Sequence, residues 1–236
     1  MRFNTLIWTF RTVLAAMMVL FLLSGCSGLG RLFGGEEEEK APAELMTEGM
    51  ENLDRGYYTA AVEAFEKIKD RYPYSQYAVL AELRMADALY KTKEFDSAYK
   101  AYDEFEKLHP KYREIPYVVY QKGMCNFMQV KSIDREQEHT RKAKAQFERL
   151  IMRFPGDRYA IKARRKLRKC LVYLAEYELY VGRFYFSNGW YRAALGRYTY
   201  VIKNYPDMGQ YNEAVEYISR CREKLAEAEA KIREEG

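Results

Sequence analysis

Apolar side chains recur at helical spacing along most of the chain, and an alanine, an aromatic residue and a proline punctuate them in a fixed order. In four segments the aromatic follows the alanine by four positions and the proline by twelve. The matching sets are Ala61/Phe65/Pro73, Ala98/Tyr102/Pro110, Ala143/Phe147/Pro155 and Ala194/Tyr198/Pro206. Alanine permits close helix approach, the ring fills the space between helices, and proline ends a helix. The pattern therefore predicts repeated pairs of helices.

A small residue precedes each of these segments. Gly49, Ala86 and Gly182 each lie twelve positions before their alanine, whereas Gly123 lies twenty before Ala143, which indicates an eight-residue insertion in the third repeat. The arrangement resembles the 34-residue tetratricopeptide repeat, a pair of antiparallel helices. We expect an all-α, tetratricopeptide-like helical repeat solenoid of about five repeats.

The repeat register predicts where the helices and turns lie. Helices are expected at about 43–55, 58–71, 75–92, 95–108, 114–130, 138–153, 158–187, 190–204 and 210–233. Turns are expected at Arg55-Gly56, Lys93-Glu94, Ser187-Asn188-Gly189 and after each proline. The polar insertion Ser132 to Arg141 predicts an exposed loop.

Two features depart from a regular array. Pro155 and Ala194 are 39 residues apart, against 25 for Pro73 and Ala98, and the additional 14 residues equal about four helical turns. We therefore predict one overlong helix in repeat four that overhangs the solenoid. The last helix is expected to close the array with Tyr211, Val215 and Ile218 facing inward.

The N-terminus has the pattern of an export signal. Arg2 and Arg11 precede a 12-residue apolar run, Thr12 to Leu23, that is too short to span a bilayer. Ser24, Gly25 and Cys26 follow the run. This order resembles the bacterial lipobox. It predicts a signal peptide at 1–25, lipid attachment at Cys26, a flexible tether at 26–42 and a repeat domain at 43–236. An ordinary signal peptide with an unmodified cysteine is the alternative.

Composition narrows the function classes. The formal net charge is +5, or +3 without the signal peptide, so nothing requires a nucleic-acid partner. The 22 tyrosines favour contact surfaces. Cys125, Cys170 and Cys221 are predicted to be buried thiols, with a bridge between the last two left open.

No pattern points to catalysis. His109 and His139 have no nucleophile or metal partner by spacing, and the chain contains no GxSxG, HExxH, GxGxxG or P-loop. The run Glu36–Glu39 is interpreted as a solvated spacer rather than a metal site. We predict a non-enzyme without a cofactor or metal.

Repeat position predicts a binding groove on the first helix of each pair. In the first repeat the groove positions are Ala43, Met46, Met50 and Leu53. In the second and third they are Leu80, Leu83, Asp87, Tyr90, Tyr117, Tyr120, Met124 and Phe127. The same side chains could instead pack between repeats. The basic stretch Lys162–Lys169 favours a solvated helix face, with anionic lipid or an acidic partner as the alternative.

Several segments together resemble the BamD family, lipoproteins of the outer-membrane β-barrel assembly machine. The segments are Ile115 to Gly123, the insertion with Asp134, Arg135, Glu136, His139 and Arg141, Leu174 to Glu178, Phe184-Tyr185, Gly189 to Tyr191, and Arg197-Tyr198. The resemblance implies a lipid-anchored protein on the periplasmic face of the outer membrane, which binds targeting segments of unfolded barrel proteins. It also implies docking on a POTRA domain of a BamA-like barrel subunit, with Arg197 at that surface and other assembly lipoproteins as further candidate partners. A repeat lipoprotein that binds peptidoglycan or coordinates cell-wall enzymes is the alternative.

Overall fold

The computed structural model describes residues 39–206 and 208–235, and within these ranges the chain forms nine α-helices and no strand. Each predicted helix is present, with its bounds within three residues of the expected ones. The helices are α1 Pro42–Arg55, α2 Tyr58–Arg71, α3 Ala78–Lys91, α4 Phe95–Leu108, α5 Ile115–Phe127, α6 Glu138–Arg153, α7 Arg158–Ser187, α8 Tyr191–Asn204 and α9 Tyr211–Glu235. The all-α prediction is confirmed.

Residues Pro42–Gly236 form one compact unit in which each helix packs against the next along the chain. The first helices of neighbouring pairs also meet, α1 with α3 and α5 with α7. The described residues contain four helix pairs and then α9 alone, so the predicted fifth repeat has no second helix there.

The small and aromatic residues of the repeat meet where the two helices of a pair cross. A Cβ atom added at Gly49 would lie 2.5 Å from Cε1 of Phe65, and one added at Gly123 would lie 2.5 Å from Cε1 of Phe147. Gly182 stands in the same relation to Tyr198, at 2.8 Å. The aromatic ring thus lies directly on the backbone of the partner helix, which is why the sequence needs a small residue at this position.

Each second helix ends two residues before the repeat's proline. The last residue before proline has left the helical region in all four cases, with φ between −124° and −136° and ψ between 49° and 60°. The residues are Tyr72, His109, Phe154 and Tyr205. The proline ring disfavours the α conformation of the preceding residue, so the four helices end in the same way.

The long helix α7 has 30 residues, as predicted, but its additional length is covered. Its first half shares a buried cluster with α5 and α6 through Ala160, Ala163 and Cys170. Leu179, further along, packs with α8 and α9. The expected overhang is therefore wrong, because α8 folds back along the second half of α7 and covers one face of it.

The inward face of α9 also differs from the prediction. Ala214 and Cys221 are fully buried, and the ring of Tyr217 stacks on Tyr198 at 4.9 Å between centroids. Of the residues expected to face inward, Ile218 packs against this cluster, whereas Tyr211 and Val215 are 45% and 43% exposed. The packed face of α9 therefore runs through Ala214, Tyr217, Ile218 and Cys221.

The insertion in the third repeat is an exposed loop over residues 132–136, as predicted, but its end differs from the prediction because it contains buried polar residues. Gln137 and Thr140 are each 1% exposed. The Gln137 amide donates to the carbonyls of Ser132 and Arg135 at 3.2 and 2.8 Å, and the Thr140 hydroxyl donates to Gln137 at 2.7 Å. Residues 138–141 already belong to α6.

The signal peptide, Cys26 and most of the tether, including Glu36, lie outside the described residues and stay predictions. No helix of the described part has the length and apolar character needed to cross a membrane.

Candidate functional site

The predicted groove positions of the second and third repeats differ in burial. Leu83, Asp87 and Met124 are buried, at 1%, 8% and 9% exposure. The five others are half-buried: Leu80, Tyr90, Tyr117, Tyr120 and Phe127. The alternative that these side chains pack between repeats is thus correct for the first group, and only the second group offers surface to a partner.

Asp87 is the centre of a buried hydrogen-bond network that joins the second repeat to the third. The hydroxyls of Tyr102 on α4 and Tyr117 on α5 both donate to its Oδ1 at 2.6 Å. Arg84 donates to the other oxygen at 2.7 Å, and Gln121 donates to the Tyr117 hydroxyl at 3.0 Å. Both carboxylate oxygens therefore have partners, and Asp87 holds the repeats together rather than presenting a free charge.

The environment of Asp87 keeps both tyrosines protonated. Burial, followed by the negative charge of Asp87, raises the pKa of the Tyr102 and Tyr117 hydroxyls well above the ordinary value. A protonated phenol is a hydrogen-bond donor, which is what an ionised carboxylate requires.

A row of ring contacts continues from this network towards α7. The Tyr117 and Tyr120 rings lie 5.2 and 5.6 Å from the ring of Tyr159. The ring centroids of Tyr120 and Phe127 lie 6.0 and 6.3 Å from that of Phe147. The half-buried aromatics of α5 thus have one side against α6 and α7 and keep their remaining surface accessible.

Tyr159 was missed by sequence reasoning. It lies at the start of α7, 23 residues before the small residue Gly182, so the repeat register assigns it no groove position. With Tyr117, Arg113 and Arg158 it lines a depression between the α4–α5 and α6–α7 connections. An aromatic two residues after the α7 N-cap, Asp157, was the only available signal.

A second buried network, also missed, lies between α4, α5 and α6. Lys122 is 3% exposed and contacts Asp103 and Glu106. Glu106 also accepts hydrogen bonds from both terminal nitrogens of Arg149, at 2.9 and 2.7 Å. Burial alone would raise the pKa of the Glu106 carboxyl, but the hydrogen bonds and charges of Arg149 and Lys122 lower it below its ordinary value.

The first-repeat positions are less uniform. Met46 is buried, Met50 and Leu53 are half-buried against the core between the first two pairs, and Ala43 is exposed. Of these, only the half-buried Met50 and Leu53 could extend the accessible surface of α3 and α5.

Arg197, the predicted docking residue, has an internal partner. Its Nη1 lies 2.9 Å from Oε2 of Glu178 on α7, and the Arg197 side chain is 41% exposed. The hydrogen bond to Glu178 raises the pKa of the guanidinium. Its charge is thus partly compensated within the chain, and part of the group remains accessible.

Comparison with known proteins decides the family. The model of the YfiO family, described as outer membrane lipoprotein, matches residues 38–235. This chain belongs to the YfiO family of outer membrane lipoproteins.

Relatives extend over most of the YfiO-family region. A protein of Caulobacter vibrioides is 31% identical over 86% of this chain and 66% of its own length. One of Rickettsia prowazekii is 33% identical over 80% of this chain and 78% of its own length, and one of Neisseria meningitidis serogroup B is 28% identical over 91% and 85%. Each is named outer membrane protein assembly factor BamD. This chain thus spans about two thirds of the Caulobacter protein's length and more of the other two.

Aromatic side chains are exposed beside Arg197 in this YfiO-family chain. The Arg197 guanidinium lies 5.9 Å from the centroid of the Tyr185 ring, which is 5.7 Å from that of Trp190. Trp190 is 56% exposed and Phe184 is 53% exposed. We refer to Phe184, Tyr185, Trp190 and Arg197 as the aromatic corner.

One histidine and the three described cysteines of the YfiO-family chain have surroundings typical of a folded core rather than of a reactive site. His109 is 2.8 Å from Glu82. Cys125, Cys170 and Cys221 are free and buried, and burial raises the pKa of Cys125 and Cys170 to about 12. Across the described ranges, no three His, Cys, Asp or Glu residues come together as metal ligands.

Proposed function

We propose that this chain is a non-enzymatic component of the machinery that assembles β-barrel proteins in the outer membrane. Membership in a family of outer membrane lipoproteins supports the membrane location. The relatives named outer membrane protein assembly factor support the assembly role, because they match most of the repeat region.

We infer that the half-buried residues of α3 and α5 bind targeting segments of unfolded barrel proteins. The observation that carries this proposal is the set of accessible apolar surfaces on the first helices of successive repeats: Leu80, Tyr90, Tyr120 and Phe127. Rings held in place by neighbours lose little entropy on binding and offer both stacking and hydroxyl groups. An extended, aromatic-rich segment suits such a surface.

We also infer that the aromatic corner docks on a POTRA domain of a BamA-like barrel subunit. It combines tryptophan, tyrosine and arginine, which contribute most to affinity in many interfaces. It lies at the end of α7, in the following turn and on α8, whereas the proposed segment-binding residues lie on α3 and α5. One chain could therefore hold substrate and barrel subunit at the same time.

The segment-binding surface can be tested with truncated tyrosines. Tyr90→Ala and Tyr120→Ala remove rings that have no hydrogen bond within the described residues, so their structural cost should be smaller than that of Tyr117. We expect each to weaken binding of a C-terminal peptide of a barrel protein by about tenfold, since one well-packed aromatic contributes about 1–2 kcal/mol. Fluorescence anisotropy with a labelled peptide measures this.

Tyr74→Ala is the matched control, because Tyr74 is fully exposed in the turn after the first repeat. It should leave peptide affinity unchanged. Unchanged affinity in both Tyr90→Ala and Tyr120→Ala, with normal helix content, would move the substrate site elsewhere.

The docking role of Arg197 needs a variant that separates it from the internal contact with Glu178. Arg197→Glu alone removes both the internal pair and any external one. The double variant Arg197→Glu with Glu178→Arg restores the internal pair with the charges exchanged. We expect both to reduce co-purification of a barrel subunit from membrane extracts, since the charge facing the partner is reversed in each.

Arg183→Glu is the control for charge reversal, because Arg183 is also 41% exposed and pairs with Glu213 at 2.6 Å. It should retain the barrel subunit. Recovery of binding in the double variant would show that Arg197 serves only Glu178. Recovery of cell-wall enzymes without any barrel subunit would contradict the assembly role itself.

A further inference from the structure

Positive charge is concentrated in one segment of the chain. Residues 141–170 contain twelve lysines and arginines and only two acidic residues, Glu148 and Asp157, although the formal net charge of the whole protein is only +5. The segment comprises most of α6 and the first half of α7. The proposed function makes no use of this concentration of charge.

The seven cations in the first half of α7 have no acidic partners within the described part of the chain. The seven are Arg158, Lys162, Arg164, Arg165, Lys166, Arg168 and Lys169. Those with a contact are held by rings or carbonyls: Arg158 and Lys162 lie over Tyr159, Lys166 lies over Phe127, and Arg164 donates to the Pro155 carbonyl. On α6, by contrast, Arg149 and Arg153 are paired with Glu106.

Five of the seven form a continuous exposed strip, which we call the cation face: Arg158, Lys162, Arg165, Arg168 and Lys169. Arg158, Lys162 and Arg165 are three or four residues apart, and the adjacent Arg168 and Lys169 lie three and four residues after Arg165. This spacing places the strip on the side of α7 opposite the buried Ala160, Ala163 and Cys170. From Arg158 to Lys169 the strip is about 17 Å long, at 1.5 Å per residue.

The environment of the neighbouring Lys166 lowers the pKa of its side chain. Burial, and then the positive charge of Lys169, lower the pKa of its ammonium group. No acidic side chain of the described residues relieves the repulsion among these cations, and a polyanion bound along the cation face would relieve it.

We propose that the cation face binds the anionic headgroups of phospholipids at the membrane surface. Exposed cations beside a membrane are attracted by its negative surface potential without the exact geometry that a protein interface needs. Ile161, 53% exposed among these cations, can enter the headgroup layer. The inference rests on the proposed membrane location, but not on substrate binding or docking.

Two features of the protein favour lipid over an acidic polypeptide as the partner of the cation face. The cation face adjoins an exposed apolar side chain, and its cations stand on an outward-facing helix surface where a planar array of headgroups can reach all five. In addition, a member of a family of outer membrane lipoproteins has a membrane surface close to it.

The test uses residues 27–236, which lack the predicted lipid site and retain the whole compact unit Pro42–Gly236. Cosedimentation is measured with vesicles of phosphatidylcholine containing about one third phosphatidylglycerol, and with vesicles of phosphatidylcholine alone. We expect binding only to the anionic vesicles, and its loss between about 0.1 and 0.5 M salt, because the screening length shortens.

Neutralising four members of the cation face should lower the partition coefficient at least about tenfold. The variant is Lys162→Gln, Arg165→Gln, Arg168→Gln and Lys169→Gln. The matched control removes four exposed lysines of the second repeat that also lack ion pairs: Lys91→Gln, Lys93→Gln, Lys100→Gln and Lys111→Gln. The control should bind within about twofold of the original protein, since its charge change is identical and only the location differs.

A charge-conserving variant, Arg165→Lys with Arg168→Lys, guards against a folding defect and should bind normally. Equal losses in the two four-residue variants would overturn the proposal, because net charge alone would then explain binding. So would binding to immobilised polyglutamate without binding to anionic vesicles, which would assign the cation face to an acidic protein. Neither result would affect the proposed assembly role.

Discussion

The hydroxyl of Tyr117 on α5 donates a 2.6 Å hydrogen bond to the carboxylate of Asp87 on α3, across the joint between the second and third helix pairs. Tyr102 donates to the same oxygen from α4. One buried carboxylate therefore determines how three helices meet. The repeat register predicts both residues in a binding surface, whereas the structure buries Asp87 and gives Tyr117 a packing contact that leaves part of its side chain accessible.

Asp87→Ala should destabilise the protein by about 3 kcal/mol, because it leaves two tyrosine hydroxyls and Arg84 without their acceptor. Urea unfolding followed by circular dichroism measures the free energy of unfolding. Asp54→Ala, at an exposed position, should change it by less than about 0.5 kcal/mol. Equal effects of the two substitutions would contradict a structural role for Asp87.

Gly123→Ala should destabilise by about 1–2 kcal/mol. The new methyl group would lie 2.5 Å from the ring of Phe147, which is fully buried and cannot move freely. Gly196→Ala is the control within a helix: no atom lies within 4 Å of its added Cβ, so it should stabilise by up to about 1 kcal/mol. Thermal unfolding of both variants would reveal the opposite signs, and a stabilised Gly123→Ala would refute the crossing geometry.

Glu106→Gln should weaken the protein at neutral pH and much less in acid. The pKa of Glu106 is lowered below its ordinary value of 4.5, so the fold favours the ionised carboxylate. Its contribution is complete above that ordinary value and is lost as the pH falls through the lowered pKa. We expect a difference of about 2–3 kcal/mol in unfolding free energy at neutral pH, which shrinks as the pH falls below the ordinary value.

Glu104→Gln provides the comparison for this pH profile, because the Glu104 side chain is 56% exposed and its ion pair with Lys69 is long, at 3.7 Å between Oε1 and Nζ. Its effect should stay within about 0.5 kcal/mol at either pH. A Glu106→Gln difference that did not change with pH would show that ionisation of Glu106 is not the cause.

Lys93→Gly should stabilise by about 0.5–1 kcal/mol. Lys93 has φ of +68° in the turn between α3 and α4, where the first and fourth pairs have Gly56 and Gly189 at φ of +84° and +76°. The left-handed conformation is costly for lysine and not for glycine. Lys91→Gly, in the preceding helix, should instead destabilise by about 1 kcal/mol. Loss of stability in Lys93→Gly would contradict the strain.

The helices and turns could be predicted because their determinants are local. Each crossing requires a small residue under an aromatic ring, and each second helix ends before a proline, so Gly123, Phe147 and Pro155 are sufficient to place one pair. The same register located α7, since a longer interval between landmarks can only be filled by a longer helix or a loop.

The buried charges could not be predicted in this way. Lys122 looks like a surface lysine, and its partner Glu106 lies sixteen residues earlier on another helix. Only the packing of α4, α5 and α6 brings them together. The prediction for α9 was wrong at Tyr211 and Val215 for a related reason: the angle at which α9 meets α8 determines which face is covered, and this face contains Ala214 and Cys221. The distinction between binding and packing residues likewise depends on how much of each side chain its neighbours cover.

The uninterrupted length of α7 has a mechanical consequence. Successive helix pairs are joined by short connections at a proline, where a few backbone angles can change without breaking helical hydrogen bonds. Within the fourth pair, by contrast, α7 is a continuous 30-residue helix of about 45 Å, with no glycine or proline before Gly182. A displacement of the aromatic corner at one end of this helix would be transmitted as a lever motion to Tyr159 at the other, beside Tyr117 and Tyr120, so that a load on α8 and α9 is felt where α5 packs against α7.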